Sequence, residues 1–409
     1  MHLKTAGLLT ASVLVAEAAA ENYLGFNSGA FFTDYQAKTK KDFLDEFKTA
    51  QNLKGAPGDF NAVRLYTNIQ HGSDGEPIEA FEAAIDTNTK ILLGVWASGT
   101  TSIDGEIKAL KKAIEKHGKK FTDLVIGASI GSEDLYRISE TGIKNKSGVG
   151  NGPKEIAAFI ADFKKAMANT PLADVPIGHV DTWDVWTNGT NKPVIDAVDW
   201  IGVDEYPYYQ NATGNHISRA GVLFDEAFAA VEASVGGKPL WVTETGWPYT
   251  GDTWDEAEAT VENAKIFWDE VGCRVLFNKV PTFWYNLRDS NPDNSMKFAI
   301  TENLSTTPRF DLTCPDTFNT PDSSETATTT GSGSKPTGGS SGGTGSGSGS
   351  STGVSAPGSS STGSPTNGGE GGEETPAGTE ESPVPTSAAS FGKTISAGLA
   401  LIAAGIAML

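Results

Sequence analysis

Apolar runs and amphipathic stretches alternate along the chain between residues 21 and 314. Runs rich in apolar, β-branched and aromatic residues fall at 23–27, 62–67, 91–97, 124–130, 176–182, 200–204, 240–243 and 282–286. Short, nearly continuous apolar runs of this kind predict strands buried on both faces. Between them the period changes. Residues 103–117 carry Ile103, Ile107, Leu110 and Ile114 on one helical face and stop at Gly118, a residue suited to a helix C-terminus. Residues 153–167 open on Pro153 and carry Ile156, Phe159, Ile160 and Phe163, and 218–235 and 256–271 repeat the pattern. Buried strands separated by amphipathic helices predict an α/β fold with a parallel sheet covered by helices. Eight strands in just under 300 residues predict a (β/α)8 TIM barrel, with a doubly wound open sheet as the alternative.

The alternation stops outside these residues. Residues 1–20 read as a secretory signal peptide: His2 and Lys4, an apolar run from Ala6, and small residues at Ala18, Ala19 and Ala20. From 315 to 390 the chain is nearly all Ser, Thr, Gly, Pro and Glu, which cannot bury enough surface to offset its backbone entropy. A disordered, O-glycosylated Ser/Gly/Thr-rich stalk is expected there. Residues 391–409 end in an uncharged apolar tail, preceded by Ser387, Ala388 and Ala389 and a short spacer with Lys393. Small triplet, spacer and tail are the signal for a GPI anchor, with Ser387 as the candidate attachment residue. The barrel domain is thus expected over 21–314, on a protein delivered to the cell surface and held to the outer leaflet or the cell wall.

A formal net charge of −20 argues against nucleic acid as a partner. The two cysteines, Cys273 and Cys314, are expected to pair in the oxidising compartment a leader implies. Closing that loop of about 42 residues would stabilise the fold by about 4 kcal/mol. Sequons at Asn145, Asn188, Asn211 and Asn303 fit the same route. The five histidines form no ligand spacing, so no metal and no cofactor is expected, and a monomer is expected to suffice.

In a barrel the strand C-termini build the active-site face. The predicted strand ends supply Arg64 and Tyr66, Ser132 and Glu133, Asp181, Trp183 and Trp186, Asp204, Glu205, Tyr206 and Tyr208, and Glu244 followed by Trp247. Several carboxylates among aromatic rings, with one arginine, suit sugar chemistry: rings stack on pyranose faces and paired acids cleave the glycosidic bond. No glycine-rich phosphate cradle is present. Glu133 and Glu244 end the fourth and seventh strands, which lie nearly opposite one another in a barrel.

WVTETGWP, residues 241–248, resembles the nucleophile signature of glycoside hydrolase family 17. VIGASIGSED resembles the acid/base strand of that family and VRLYT its second strand, and the resemblance covers about 23–314. The layout of leader, catalytic domain, stalk and anchor signal is similar to that of fungal GPI-anchored endo-β-1,3-glucanases. The resemblance implies a retaining mechanism on β-1,3-glucan, with Glu133 as proton donor and Glu244 as nucleophile. It also implies carboxyls about 5–5.5 Å apart. Tyr206 would hold Glu244, with Arg64 and Tyr66 close to it. Trp183, Trp186, Tyr208 and Trp247 would offer stacking faces, and Asp204 and Glu205 would shape the pocket, one of them pairing with Arg64. One departure stands out: Ser132 precedes Glu133 where this clan of barrels has an asparagine that bonds the sugar 2-hydroxyl.

Other readings of the same residues stay open. Gly127-Ala128-Ser129-Ile130-Gly131 fits the serine-hydrolase pattern, with Asp181 and His216 to complete a triad. A glucanosyltransferase would share the first chemical step, and a non-catalytic glucan-binding wall protein would share the aromatic residues.

Overall fold

A computed structural model of the chain describes residues 22–210 and 214–318. The leader, the tail, nearly all of the stalk, Asn211 and Ser387 lie outside them. Eight strands close into a barrel in sequence order, every neighbouring pair parallel. They are β1 (Leu24–Ser28), β2 (Ala62–Leu65), β3 (Lys90–Val95), β4 (Val125–Ser132), β5 (Ile177–Thr182), β6 (Trp200–Asp204), β7 (Leu240–Glu244) and β8 (Thr282–Trp284). The helices α1 (Lys40–Gln51), α2 (Ala80–Thr87), α3 (Asp104–His117) and α4 (Lys119–Thr122) occupy the connections up to β4. Two short helices, α5 (Asp134–Arg137) and α6 (Glu140–Lys144), precede the long α7 (Pro153–Met167). Next come α8 (Trp183–Trp186), α9 (Lys192–Ala197), α10 (Ala220–Ser234) and α11 (Val261–Phe267), the last running on as a π-helical stretch, Trp268–Leu276.

The strand faces divide by alternation. One side chain from each of β2 to β8 (Ala62, Leu92, Ile126, Val180, Trp200, Trp241 and Phe283) meets in a cluster inside the barrel. Trp200 and Trp241 stack there, ring centres 4.4 Å apart and 15° from parallel. The opposite faces pack against the helices: Val63, Leu65, Ile91, Leu93, Ile201 and Val203 join Ile107, Leu110, Ile156, Phe159, Ile160 and Phe163. The helical stripe read in the sequence is thus the buried one.

Cys273, in the π-helical stretch, is disulfide-bonded to Cys314 with Cα atoms 5.5 Å apart. The bond ties the last barrel helix to the segment that closes over it, where Trp268 Nε1 donates to the Leu312 carbonyl at 3.0 Å. Asn188 and Asn303 are exposed, whereas Asn145 donates through Nδ2 to the Tyr136 hydroxyl at 3.0 Å. No helix among the described residues is long and apolar enough to cross a membrane.

Candidate active site

Two irregularities in the sheet bring the strand-end glutamates to the barrel mouth. Val203 pairs with Val242, but Asp204 pairs with Glu244, so β7 carries one extra residue, Thr243. Strict alternation from Trp241 would turn Glu244 outward; the bulge re-aims it to stand beside Asp204. A matching slip separates the Ser129–Gly178 and Ser132–Val180 pairs of β4 and β5. The next residue, Glu133, takes a left-handed backbone, φ 54°, and donates its N–H to the Val180 carbonyl at 2.9 Å.

Glu244 is completely buried and held on both oxygens. Its Oε1 accepts from Arg64 Nη1 in a tight ion pair and from the Tyr66 hydroxyl at 2.7 Å. Its Oε2 accepts from the Tyr206 hydroxyl at 2.8 Å. Arg64 is itself fixed, donating to Asn27 Oδ1 at 2.8 Å and to Ser132 Oγ at 3.0 Å. Asn27 in turn donates to the carbonyls of Thr243 and Phe283, at 3.0 and 2.9 Å. The guanidinium therefore spans β1, β2, β4 and β7, and Glu244 meets it as a preformed ionic partner.

Glu133 sits in the opposite situation. It is 2% exposed, Oε1 has no hydrogen-bond partner, and Oε2 lies 3.6 Å from Arg137 Nη2. Burial pushes its pKa up to about 8; Arg137 opposes the rise, while Glu244 and Asp181 add to it. Asp204 is pushed well above the carboxylate range by burial and then by Glu244. Its Oδ1 accepts from Thr243 Oγ1 at 2.6 Å, and Oδ2 has no partner. The mouth thus holds one carboxyl bound to Arg64 and two buried carboxyls, Glu133 and Asp204, raised above the usual range.

A cavity of about 560 Å³ opens beside this group, lined by Trp183, Asp204, Glu205, Tyr206, Tyr209 and Gln210 among others. Asp204 and Tyr206 belong to both the cavity and the carboxylate cluster. Trp183 is half-buried and presents its ring there. The other three rings named from the sequence do not line the cavity. Trp186 is 1% exposed, donates to the Gly202 carbonyl at 2.9 Å and packs edge-on to His179. Tyr208 donates to the Asp252 carbonyl, and Trp247 packs against Tyr208 and Phe267 while donating to the Glu258 carbonyl at 2.9 Å. Each ring is spent on packing the loops. Arg64 pairs with Glu244, not with Asp204 or Glu205. Glu205 follows Asp204 on the outward face, where it accepts from Gln210. The serine-hydrolase triad does not assemble either. Ser129 donates to the Gly131 carbonyl at 2.8 Å within β4, and His216 is exposed and turned to Ser218.

The sequence profile of the BtgE/BtgC glycoside hydrolase domain matches residues 25–302, more than half of the chain. The chain belongs to that family. A "Probable glucan endo-1,3-beta-glucosidase eglC" of Aspergillus oryzae is 50% identical over 74% of this chain and 65% of its own length. Its Aspergillus fumigatus counterpart is 49% identical over 75% of this chain and 68% of its own length. This chain thus spans a little under two thirds of the first of these relatives. Among solved structures, a glycoside hydrolase family 17 β-1,3-glucanosyltransferase from Rhizomucor miehei superposes with a TM-score of 0.58 at 21% identity. That match covers 71% of this chain and 98% of the other, and it establishes a shared barrel fold.

Several residues that build this family member's site were not legible in the sequence. Asn27 lies one residue before the end of the first strand in a stretch, GFNSG, whose signal is only a polar residue inside an apolar run. His179 and Arg137 carry no local signal, because only the packing of β5 and α5 brings them to the Glu133 turn. Among the described residues no cluster of three or more His, Cys, Asp or Glu could hold a metal ion.

Proposed function

We propose that this chain is a retaining endo-β-1,3-glucanase in which Glu133 donates the proton and Glu244 is the nucleophile. The observation that carries this reading is the unequal setting of the two carboxyls. Glu244 is bound by Arg64 and held by Tyr66 and Tyr206, whereas Glu133 is buried, unpaired on Oε1 and raised to about 8. Two carboxyls whose surroundings push them apart are what a double displacement needs. Glu133 would protonate the leaving glycosidic oxygen while Glu244 attacks the anomeric carbon. The glycosyl-enzyme is then opened by water that Glu133, now a carboxylate, deprotonates. Protonated Asp204 would donate to a sugar hydroxyl, and the Trp183 face would take a pyranose ring. Ser132 is committed to Arg64, so it supports the nucleophile's partner. The family and the names of the Aspergillus relatives support β-1,3-glucan as substrate, and the leader and anchor-like tail support work at the cell surface.

Incubation with a linear β-1,3-gluco-oligosaccharide labelled at the reducing end, followed by mass spectrometry, tests the reading. Shorter chains cut at internal bonds, released first as the β-anomer by proton NMR, are expected. Initial α-anomer would overturn the retaining mechanism. Products longer than the starting material would keep the first step but replace hydrolysis by glucanosyl transfer. Binding without turnover would remove the enzyme reading altogether.

A further inference from the structure

Behind Glu133 lies a buried ionic cluster that the steps above do not use. Val180 of β5 points into the barrel, so its neighbours His179 and Asp181 point outward, beneath the turn that carries Glu133. Both are 0% exposed. His179 Nδ1 lies 2.6 Å from the Ile130 carbonyl oxygen, and Nε2 lies 2.9 Å from Asp181 Oδ2. A neutral imidazole has one N–H and would leave a bare lone pair facing one of these oxygens. Only a ring protonated on both nitrogens satisfies the two acceptors. Asp181 is the acceptor of the pair on both oxygens: Oδ1 accepts the backbone N–H groups of Tyr136 at 3.2 Å and Thr182 at 2.9 Å, and Oδ2, which faces the ring, accepts that of Leu135 at 2.8 Å.

Leu135 and Tyr136 lie in the short helix α5 that starts at Asp134, directly after Glu133. Asp181 therefore anchors the turn that aims the proton donor, and His179 anchors Asp181 to the β4 carbonyl two residues before the bulged end. The charges acting on the ring are Asp181 on its own strand and Asp134 at the β4–α5 turn, and Arg137 of α5 acts on Asp134 in turn. From α8, Asp184 faces Asp181. Burial alone would lower the histidine pKa; the hydrogen bond and charge of Asp181 and the charge of Asp134 outweigh it, leaving the ring above the usual value.

We infer that His179 is a permanent buried imidazolium and, with Asp181, the positioning pair for the Glu133 proton donor. The positioning role rests on the function given to Glu133 above; the charge state does not. A neutral substitute for His179 leaves Asp181 uncompensated, which raises Glu133 further and loosens the start of α5.

Nitrogen-15 NMR of the histidine rings in the full chain tests the charge state, with signals assigned by replacing His2, His71, His117 and His216 in turn. The remaining ring is expected to show two protonated nitrogens throughout the neutral range, and one bare nitrogen there overturns the inference. Asp181→Asn is expected to return that ring to a single-proton tautomer at neutral pH. In His179→Gln, kcat on the labelled oligosaccharide is expected to fall on the order of tenfold to a hundredfold. KM should stay within about twofold, with the upper pH limb of kcat/KM moved to higher pH. An imidazolium signal together with unchanged kcat and pH limb would leave the pair structural and end the positioning role. If the wild-type chain does not cleave glucan, the reading of Glu133 fails while the NMR result still decides the charge of His179.

Discussion

At the scale of single residues the site separates two acids by their company. Three donors converge on Glu244, and the first test is to replace its carboxyl without changing shape. Glu244→Gln is expected to cut kcat on β-1,3-gluco-oligosaccharides on the order of a thousandfold or more. Glu205→Gln, which touches the outward carboxyl bonded to Gln210, is expected to keep a substantial part of the activity. The reverse order of losses would reassign the nucleophile. As the proposed proton donor Glu133 must be protonated to act, and burial raises its pKa to about 8. Activity should therefore hold through neutral pH and fall as pH rises past about 8, read as the upper limb of kcat/KM. An upper limb in the ordinary glutamate range would mean that the acid is some other group.

At the scale of elements, the bulges in β4 and β7 and the turn after β4 do the aiming. Gly131 has φ +85°, and a Cβ there would come within 2.6 Å of Asp134 Oδ2 and 2.9 Å of His179 Cε1. Gly131→Ala is expected to destabilise the chain by about 1–3 kcal/mol in urea unfolding. It should lower kcat more than that loss of folded fraction explains, because the strain falls between His179 and the donor. The strands themselves were legible: apolar runs at 176–182 and 200–204 became β5 and β6 almost unchanged, since a strand buried on both faces announces itself by continuity. The one-residue slips were not legible. They arise from pairing between strands far apart in sequence, and no local pattern marks Thr243 as the extra residue. Aromatic type was also a poor guide to role. Trp183 and Trp186 lie three residues apart, yet one lines the cavity and the other fills the space against His179, a division set by how α8 sits on β5.

At the scale of the whole molecule, the buried acids set how stability depends on pH. Glu133 at about 8 and Glu106 at about 7 both titrate above the usual glutamate value of about 4.3, chiefly because burial disfavours the charged form. Between that value and about 8 the folded chain keeps protons that the unfolded chain has released. The stabilisation is complete below the unfolded value and is lost as pH rises through the folded ones. Asp204 and Glu205, both raised well above the usual range, act in the same direction. Tm measured by calorimetry is therefore expected to be higher near pH 5 than near pH 8, and a Tm that climbs over this interval would contradict the buried, protonated acids. The stacked indoles of Trp200 and Trp241 have a consequence of another kind. Two stacked chromophores 4.4 Å apart couple their excited states, and a skew between their in-plane transition dipoles gives a paired positive and negative circular-dichroism signal in the far ultraviolet. The rings come from adjacent strands inside the closed sheet, so that couplet is a built-in optical gauge of barrel closure, separable from the helical signal of the outer layer.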